Sequence, residues 1–276
     1  MNKEKKILQW NSWILMGFIL HFIIGCESTT NYITLEKQRL FPFYPWDNVW
    51  KECQKQDEIF RDPLQSQRMI DFYQTKILES PENADWYFLY GRFLGLIQDA
   101  DSSLPFFQKA LQKDPEGIWG YYGLGMYYLQ KKDFFQAKIH FSECLFYQKN
   151  FAPALLGMAK IALEQSPLLA ISYLEQCIAL LPQDASLHHH LGNLYFFHTK
   201  EKHKAEAHFL KAVHLSPHNP VFLKDLALYY FDAKEVSKSI EILKQILDII
   251  PNPKQKRQIL LLIQRMQSFS VSKSKG

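Results

Sequence analysis

Equivalent residues recur about every 34 positions along most of this chain, and a period of that length leaves few folds open. Gly91, Gly125, Ala159, Gly192 and Ala227 fall 34, 34, 33 and 35 residues apart. Phe107, Phe141, Leu174, Phe209 and Leu243 form a second ladder with spacings of 34, 33, 35 and 34. Pro115, Pro182, Pro217 and Pro251 form a third, with Lys149 at the one rung that lacks a proline. Three ladders in one register imply tandem copies of one small unit. A unit this short cannot bury its own apolar face, so neighbouring copies must stack to make a core.

Each rung has a packing reason. Gly or Ala inside a helix lets a second helix approach closely, and large apolar residues three or four positions away share that face. Proline lacks an N–H and clashes with the preceding turn, so it stops the second helix of each pair. The small residues near the end of that helix (Ala110, Cys144, Cys177 and Ala212, with Ile246 in the last copy) face the neighbouring unit.

The motifs filling these slots resemble the tetratricopeptide repeat. Leu124-Gly125-Met126-Tyr127-Tyr128 and Leu191-Gly192-Asn193-Leu194-Tyr195 match the first-helix element of that family, and Ala137 with Phe141 and Ala205 with Phe209 match its second-helix element. The resemblance covers residues 84–251 and implies an all-α, right-handed α-solenoid of about five helix hairpins, 84–117, 118–151, 152–184, 185–219 and 220–253. A degenerate repeat over 47–83, with Met69, Tyr73 and Pro81 near second-helix slots, precedes them. A capping helix over 254–267, with Ile259, Leu262, Ile263 and Met266 on one face, follows them. The Ser/Lys-rich tail 268–276 reads as disordered.

The N-terminus reads as an address. Met1 to Lys6 is basic, Ile7 to Ile24 is mostly apolar, and Ile23-Ile24-Gly25-Cys26 ends the run. That layout is a secretory signal (1–25), and its last four residues resemble the lipobox of bacterial lipoproteins. The resemblance implies lipidation of Cys26 and a lipid anchor in the bacterial cell envelope. Glu27, rather than Asp, leans toward the outer membrane, facing the periplasm. The same run, about 18 residues long, also reads as an uncleaved signal anchor with an incidental cysteine. Residues 26–46 read as a tether, polar first and then closing with Phe41-Pro42-Phe43-Tyr44-Pro45-Trp46.

Charge and chemistry narrow the function. Apolar residues make up 47% and charged residues 22%, an ordinary globular balance, and the net charge is +4. Lys3, Glu4, Lys5 and Lys6 carry +2 of that, too little elsewhere to argue for nucleic acid. No phosphate-cradling loop, metalloprotease helix or nucleophile elbow is present in the sequence, so the chain reads as a non-enzyme without a cofactor. Cys53, Cys144 and Cys177 show no pairing pattern and read as buried free thiols. Eight of the ten histidines lie between His188 and His218. Only His214 and His218 have the i, i+4 spacing of a helical metal site, Pro217 stands between them, and no metal site is assigned.

In the family it resembles, the first helices line a groove for a protein or peptide partner. Transferring those slots gives Phe88, Arg92, Trp119, Tyr122, Met126, Lys160, His189, Asn193, Phe196 and Lys224. Trp119, Tyr122 and Met126, three and four residues apart on one helix face, are expected to be exposed and to anchor the partner. The leading expectation is a lipid-anchored scaffold or adaptor in envelope assembly or remodelling. The alternative is a ligand- or metal-handling lipoprotein that uses the His-rich 188–218 region.

Overall fold

The computed structural model describes residues 48–59, 62–199 and 201–273. The address segment 1–25, Cys26 and the tether to residue 46 lie outside them. Thirteen α-helices and no strand occur among the described residues. None of these helices is long and apolar enough to cross a membrane. The helices fall into two compact units, divided between Pro182 and Gln183.

The first unit holds four helix pairs: α1 (Asn48–Ile59) and α2 (Pro63–Glu79), α3 (Ala84–Ile97) and α4 (Ala100–Lys113), α5 (Ile118–Gln130) and α6 (Phe134–Tyr147), and α7 (Ala152–Leu163) and α8 (Pro167–Leu180). The second holds α9 (Ala185–Leu194), which runs into a π turn at Tyr195–Thr199, then α10 (Lys202–Leu215), α11 (Pro220–Asp232), α12 (Val236–Ile249) and α13 (Pro253–Lys273).

Local chemistry sets these boundaries. Side chains of Asp62, Asn83, Asp99, Asp133, Asp184 and Asn219 accept hydrogen bonds from the first free amides of α2, α3, α4, α6, α9 and α11. The rungs Pro115, Pro182, Pro217 and Pro251 each stand two residues beyond the end of α4, α8, α10 and α12, and Lys149 stands two beyond α6. The spacing of 35 between Gly192 and Ala227 falls where the π turn is, and a π turn accommodates one extra residue in a helix.

The core follows the second ladder. Phe107, Phe141, Leu174, Phe209 and Leu243 are all buried, as are the small slots Ala110, Cys144, Cys177 and Ala212. The Cys144 thiol donates weakly to the Ile118 carbonyl at 3.6 Å, and burial pushes it far above the usual thiol range. Cys53, Cys144 and Cys177 are buried and take part in no disulfide. In the degenerate pair, Gln56 donates to the Tyr73 hydroxyl at 2.8 Å and to the Leu89 carbonyl at 2.8 Å, which ties α1 to α2 and to α3.

The last helix differs from the sequence expectation. Ile259, Leu262, Ile263 and Met266 do cover Leu243 and Ile246 of α12 and Ile250 just beyond it. The helix, however, continues to Lys273 instead of stopping at Gln267. No Gly or Pro interrupts residues 268–273, so nothing there breaks the helical hydrogen bonding.

Candidate partner-binding site

The transferred groove residues separate into two groups, one in each unit. In the first unit the expectation of exposed aromatic anchors is corrected. Trp119 is 8% exposed and Tyr122 only 2% exposed, and Phe88 is buried as well. The cause is Phe151, in the loop before α7. Its ring stands edge-on to Trp119 at 5.3 Å and to Tyr122 at 5.4 Å, while Phe88 packs on Trp119 from α3 at 4.9 Å. These rings form an aromatic core from two successive first helices and the loop before the third, and burial holds the Tyr122 hydroxyl well above the ordinary phenol range.

Arg92 is likewise committed to its own fold. Its guanidinium donates to Asp57 at 2.6 Å, to the Gln56 side-chain oxygen at 2.7 Å and to the Cys53 carbonyl at 3.2 Å, all on α1. Burial works against its charge, but the Asp57 carboxylate prevails and raises its pKa. Met126 and Lys160 are half-buried.

In the second unit the structure brings three groove residues together. His189 and Asn193 stand one turn apart on α9 and meet Lys224 and Asp225 at the start of α11. The His189 imidazole lies 2.7 Å from an Asp225 carboxylate oxygen through Nε2. The Asn193 amide donates to the same oxygen at 3.4 Å, and the Lys224 ammonium is 3.5 Å from the other. His189 and Lys224 are both buried. Burial works against the Asp225 charge, but the hydrogen bond from His189 and the Lys224 ammonium prevail and hold its carboxyl below the ordinary value. Phe222 packs on the His189 ring at 4.7 Å. Half-buried Phe196, in the π turn, packs edge-on to Tyr229 at 5.7 Å.

Two polar atoms of this cluster, His189 Nδ1 and Asn193 Oδ1, are buried without a hydrogen-bond partner among the described residues. Leaving a buried polar group unpaired costs roughly 1–3 kcal/mol. Asp225 itself was not foreseen. The signal was present, because Lys224-Asp225 opens a first helix 36 positions after His189, but only the packing of α9 beside α11 makes them neighbours. A second pairing also went unforeseen, His188 with His208 through their Nδ1 atoms at 3.1 Å, inside the α9/α10 hairpin. No group of three or more His, Cys, Asp or Glu side chains is gathered to hold a metal among the described residues.

Comparison with known proteins agrees with this architecture. Residues 185–219, the bounds of the fourth sequence repeat, match the tetratricopeptide repeat family model. Protein O-mannosyl-transferase Tmtc3 of Drosophila melanogaster is 27% identical over 137 residues, 49% of this chain and 15% of that protein. The chain thus matches only a small part of that relative. Among solved structures, YrrB, described as a tetratricopeptide protein with an unusual peptide-binding site, is 22% identical with a TM-score of 0.52, over 67% of this chain and 95% of that one. PilF of Pseudomonas aeruginosa is 17% identical with a TM-score of 0.59, over 70% and 87%. Yeast Tom70 is 17% identical with a TM-score of 0.57, over 73% and 43%. At these identities the likeness is one of fold. Together with the matched repeat it supports a tetratricopeptide-repeat protein, all-helical and built of stacked hairpins.

Proposed function

We propose that this chain is a non-catalytic scaffold that holds a protein or peptide partner along its first helices, tethered to a bacterial envelope membrane by a lipid on Cys26. The observation that carries the partner reading is the His189–Asn193–Lys224–Asp225 cluster. Four polar side chains are gathered there from two first helices, and two buried atoms are left with unused hydrogen-bonding capacity. An extended segment of a partner supplies backbone N–H and C=O groups at regular intervals, which suits such a site. Half-buried Phe196 beside it offers apolar contact. YrrB, with the same fold, is described by its peptide-binding site, which supports the reading further.

The tether rests on the Ile23-Ile24-Gly25-Cys26 run and on the basic and apolar segments before it. An outer-membrane position facing the periplasm, and a role in envelope assembly or remodelling, follow as the finer part of the proposal. The transferase activity of the Drosophila relative is not carried over, since the match spans 15% of that protein.

The partner site is tested by placing a photo-crosslinking amino acid at Phe196 of the full chain in its native envelope. Discrete adducts that Asn193→Ala weakens at least severalfold, with melting unchanged, are expected. Adducts indifferent to Asn193→Ala would place the partner elsewhere. The tether is tested separately by labelling with radioactive palmitate, which Cys26→Ser should abolish.

A further inference from the structure

The outward side of α6 is unlike the outer side of the preceding second helix. α6 packs inward through Ala137, Phe141 and Cys144, all fully buried. On the opposite side Phe135 is 71% exposed, Ile139 is 39% exposed and Phe146 is 74% exposed. At 100° per residue these three fall within about 40° of arc and make one stripe roughly 16 Å long. The corresponding side of α4 carries Asp101, Pro105 and Gln108, so the hairpin architecture does not itself require an apolar stripe.

Charge frames the stripe. Lys138 lies beside it, and Lys132 and Lys149 stand just beyond the two ends of the helix. All three are exposed, and none forms an ion pair among the described residues. Lys131, at the same end as Lys132, is paired with Asp101. The nearby acids are Asp133, whose carboxylate caps α6, and Glu143 on the flank of the stripe. With Lys131 neutralised by Asp101, the balance along α6 and its two ends is three lysines against two acids. Aromatic rings on one side of a helix with lysines at its margins suit the boundary between lipid headgroups and acyl chains, where rings sit in the apolar layer and ammonium groups reach the phosphates.

We propose that α6 lays its Phe135–Ile139–Phe146 stripe into an anionic lipid surface, so that the first unit rests against the membrane. The inference builds on the membrane-tethered reading above. The stretch from Cys26 to the start of α1 could span up to about 70 Å when fully extended, ample for the unit to lie on the bilayer that holds the lipid.

The test uses the full chain with an environment-sensitive fluorophore on Ser142→Cys, in the middle of the stripe, and a control on Gln108→Cys of α4. The native thiols Cys53, Cys144 and Cys177 are buried and do not compete for the label, and the fourth cysteine, Cys26, is changed to serine in the labelled chains. With vesicles containing phosphatidylglycerol, emission at position 142 should shift to the blue and be quenched by nitroxide lipids, while position 108 stays unchanged. Phe135→Ser with Phe146→Ser should weaken that response by about tenfold. Vesicles of phosphatidylcholine alone should weaken it as well. A label at 142 that stays water-exposed on vesicles overturns the proposal. So does a blue shift without lipid that grows with protein concentration, since a second copy would then cover the stripe. Because the label reports on the stripe and palmitate labelling reports on Cys26, failure of the docking face and failure of the tether give different results.

Discussion

The buried ring of Phe141 lies so close against Gly157 that a Cβ placed on that glycine would fall 2.4 Å from Cε2 and Cζ. Gly125, in the same hairpin as Phe141, approaches the ring from another side, with a Cβ position 2.6 Å from Cε1. One side chain of the second ladder thus joins its own hairpin to the next, and both contacts depend on the absence of a methyl group. Gly157→Ala and Gly125→Ala should each lower the stability of the first unit by roughly 1–3 kcal/mol through overpacking. Urea unfolding followed by circular dichroism reads this directly. Adding Phe141→Leu to Gly157→Ala should recover part of the loss, because the shorter side chain relieves the clash. An unchanged midpoint in both alanine variants would contradict the close approach.

The contact of Gly125 with Phe141 was legible in the sequence because both residues belong to ladders, and a ladder reports what every copy must do, whereas Gly157 stands on none. Helix bounds, the stops two residues before each proline and the buried small slots all follow from the same repetition. What the ladder cannot report is what single copies do. Phe151 stands outside any helix, so no periodicity marks it, yet it is the residue that closes over Trp119 and Tyr122. The link from His189 to Asp225 depends on the offset between adjacent first helices, which spacing alone does not supply. The pairing of His188 with His208 likewise requires the hairpin to be folded first.

Asp225 is the hydrogen-bond partner of His189 and the counter-charge for Lys224, and removing it should be costly. Asp225→Asn leaves a buried lysine without its partner, and breaking such a pair costs about 3 kcal/mol. The sign of the pH dependence follows from the lowered carboxyl pKa. A carboxylate held below its unfolded value stabilises the fold above about pH 4 and loses that contribution as pH falls through its folded value. The stability gap between wild type and Asp225→Asn should therefore be full near neutrality and shrink below about pH 4. Denaturation midpoints across that range would test it, and a gap that persists undiminished in acid would show that charge is not what Asp225 contributes.

Lys234 adopts a left-handed backbone conformation, φ 65°, in the turn between α11 and α12, as Lys132 does at φ 60° between α5 and α6. A side chain costs on the order of 1 kcal/mol in that region, and glycine does not carry this cost. Lys234→Gly should thus raise the stability of the second unit by roughly 0.5–1 kcal/mol, even after the greater freedom of glycine in the unfolded chain is counted. Lys234→Ala should bring no comparable gain, since it keeps the Cβ. Melting temperatures of the two variants beside wild type decide the point, and equal values for both would refute the strain argument.

Trp119 and Tyr122 bear on function through the core that they build. Phe88 and Phe151 pack on both rings and Phe141 on Tyr122, so truncation opens a cavity rather than stripping a binding surface. Trp119→Ala should destabilise the first unit by about 3–5 kcal/mol, whereas Trp119→Phe, which keeps a ring in place, should cost clearly less. Any loss of partner capture in Trp119→Ala is then expected to track unfolding and to be regained in Trp119→Phe. Asn193→Ala is the contrasting case, with capture reduced and melting retained. Crosslinking yield and melting temperature must therefore be measured on the same preparations. A Trp119→Ala chain that melts like wild type yet fails to capture its partner would return the aromatic cluster to the binding surface and displace the polar cluster of the second unit as the site.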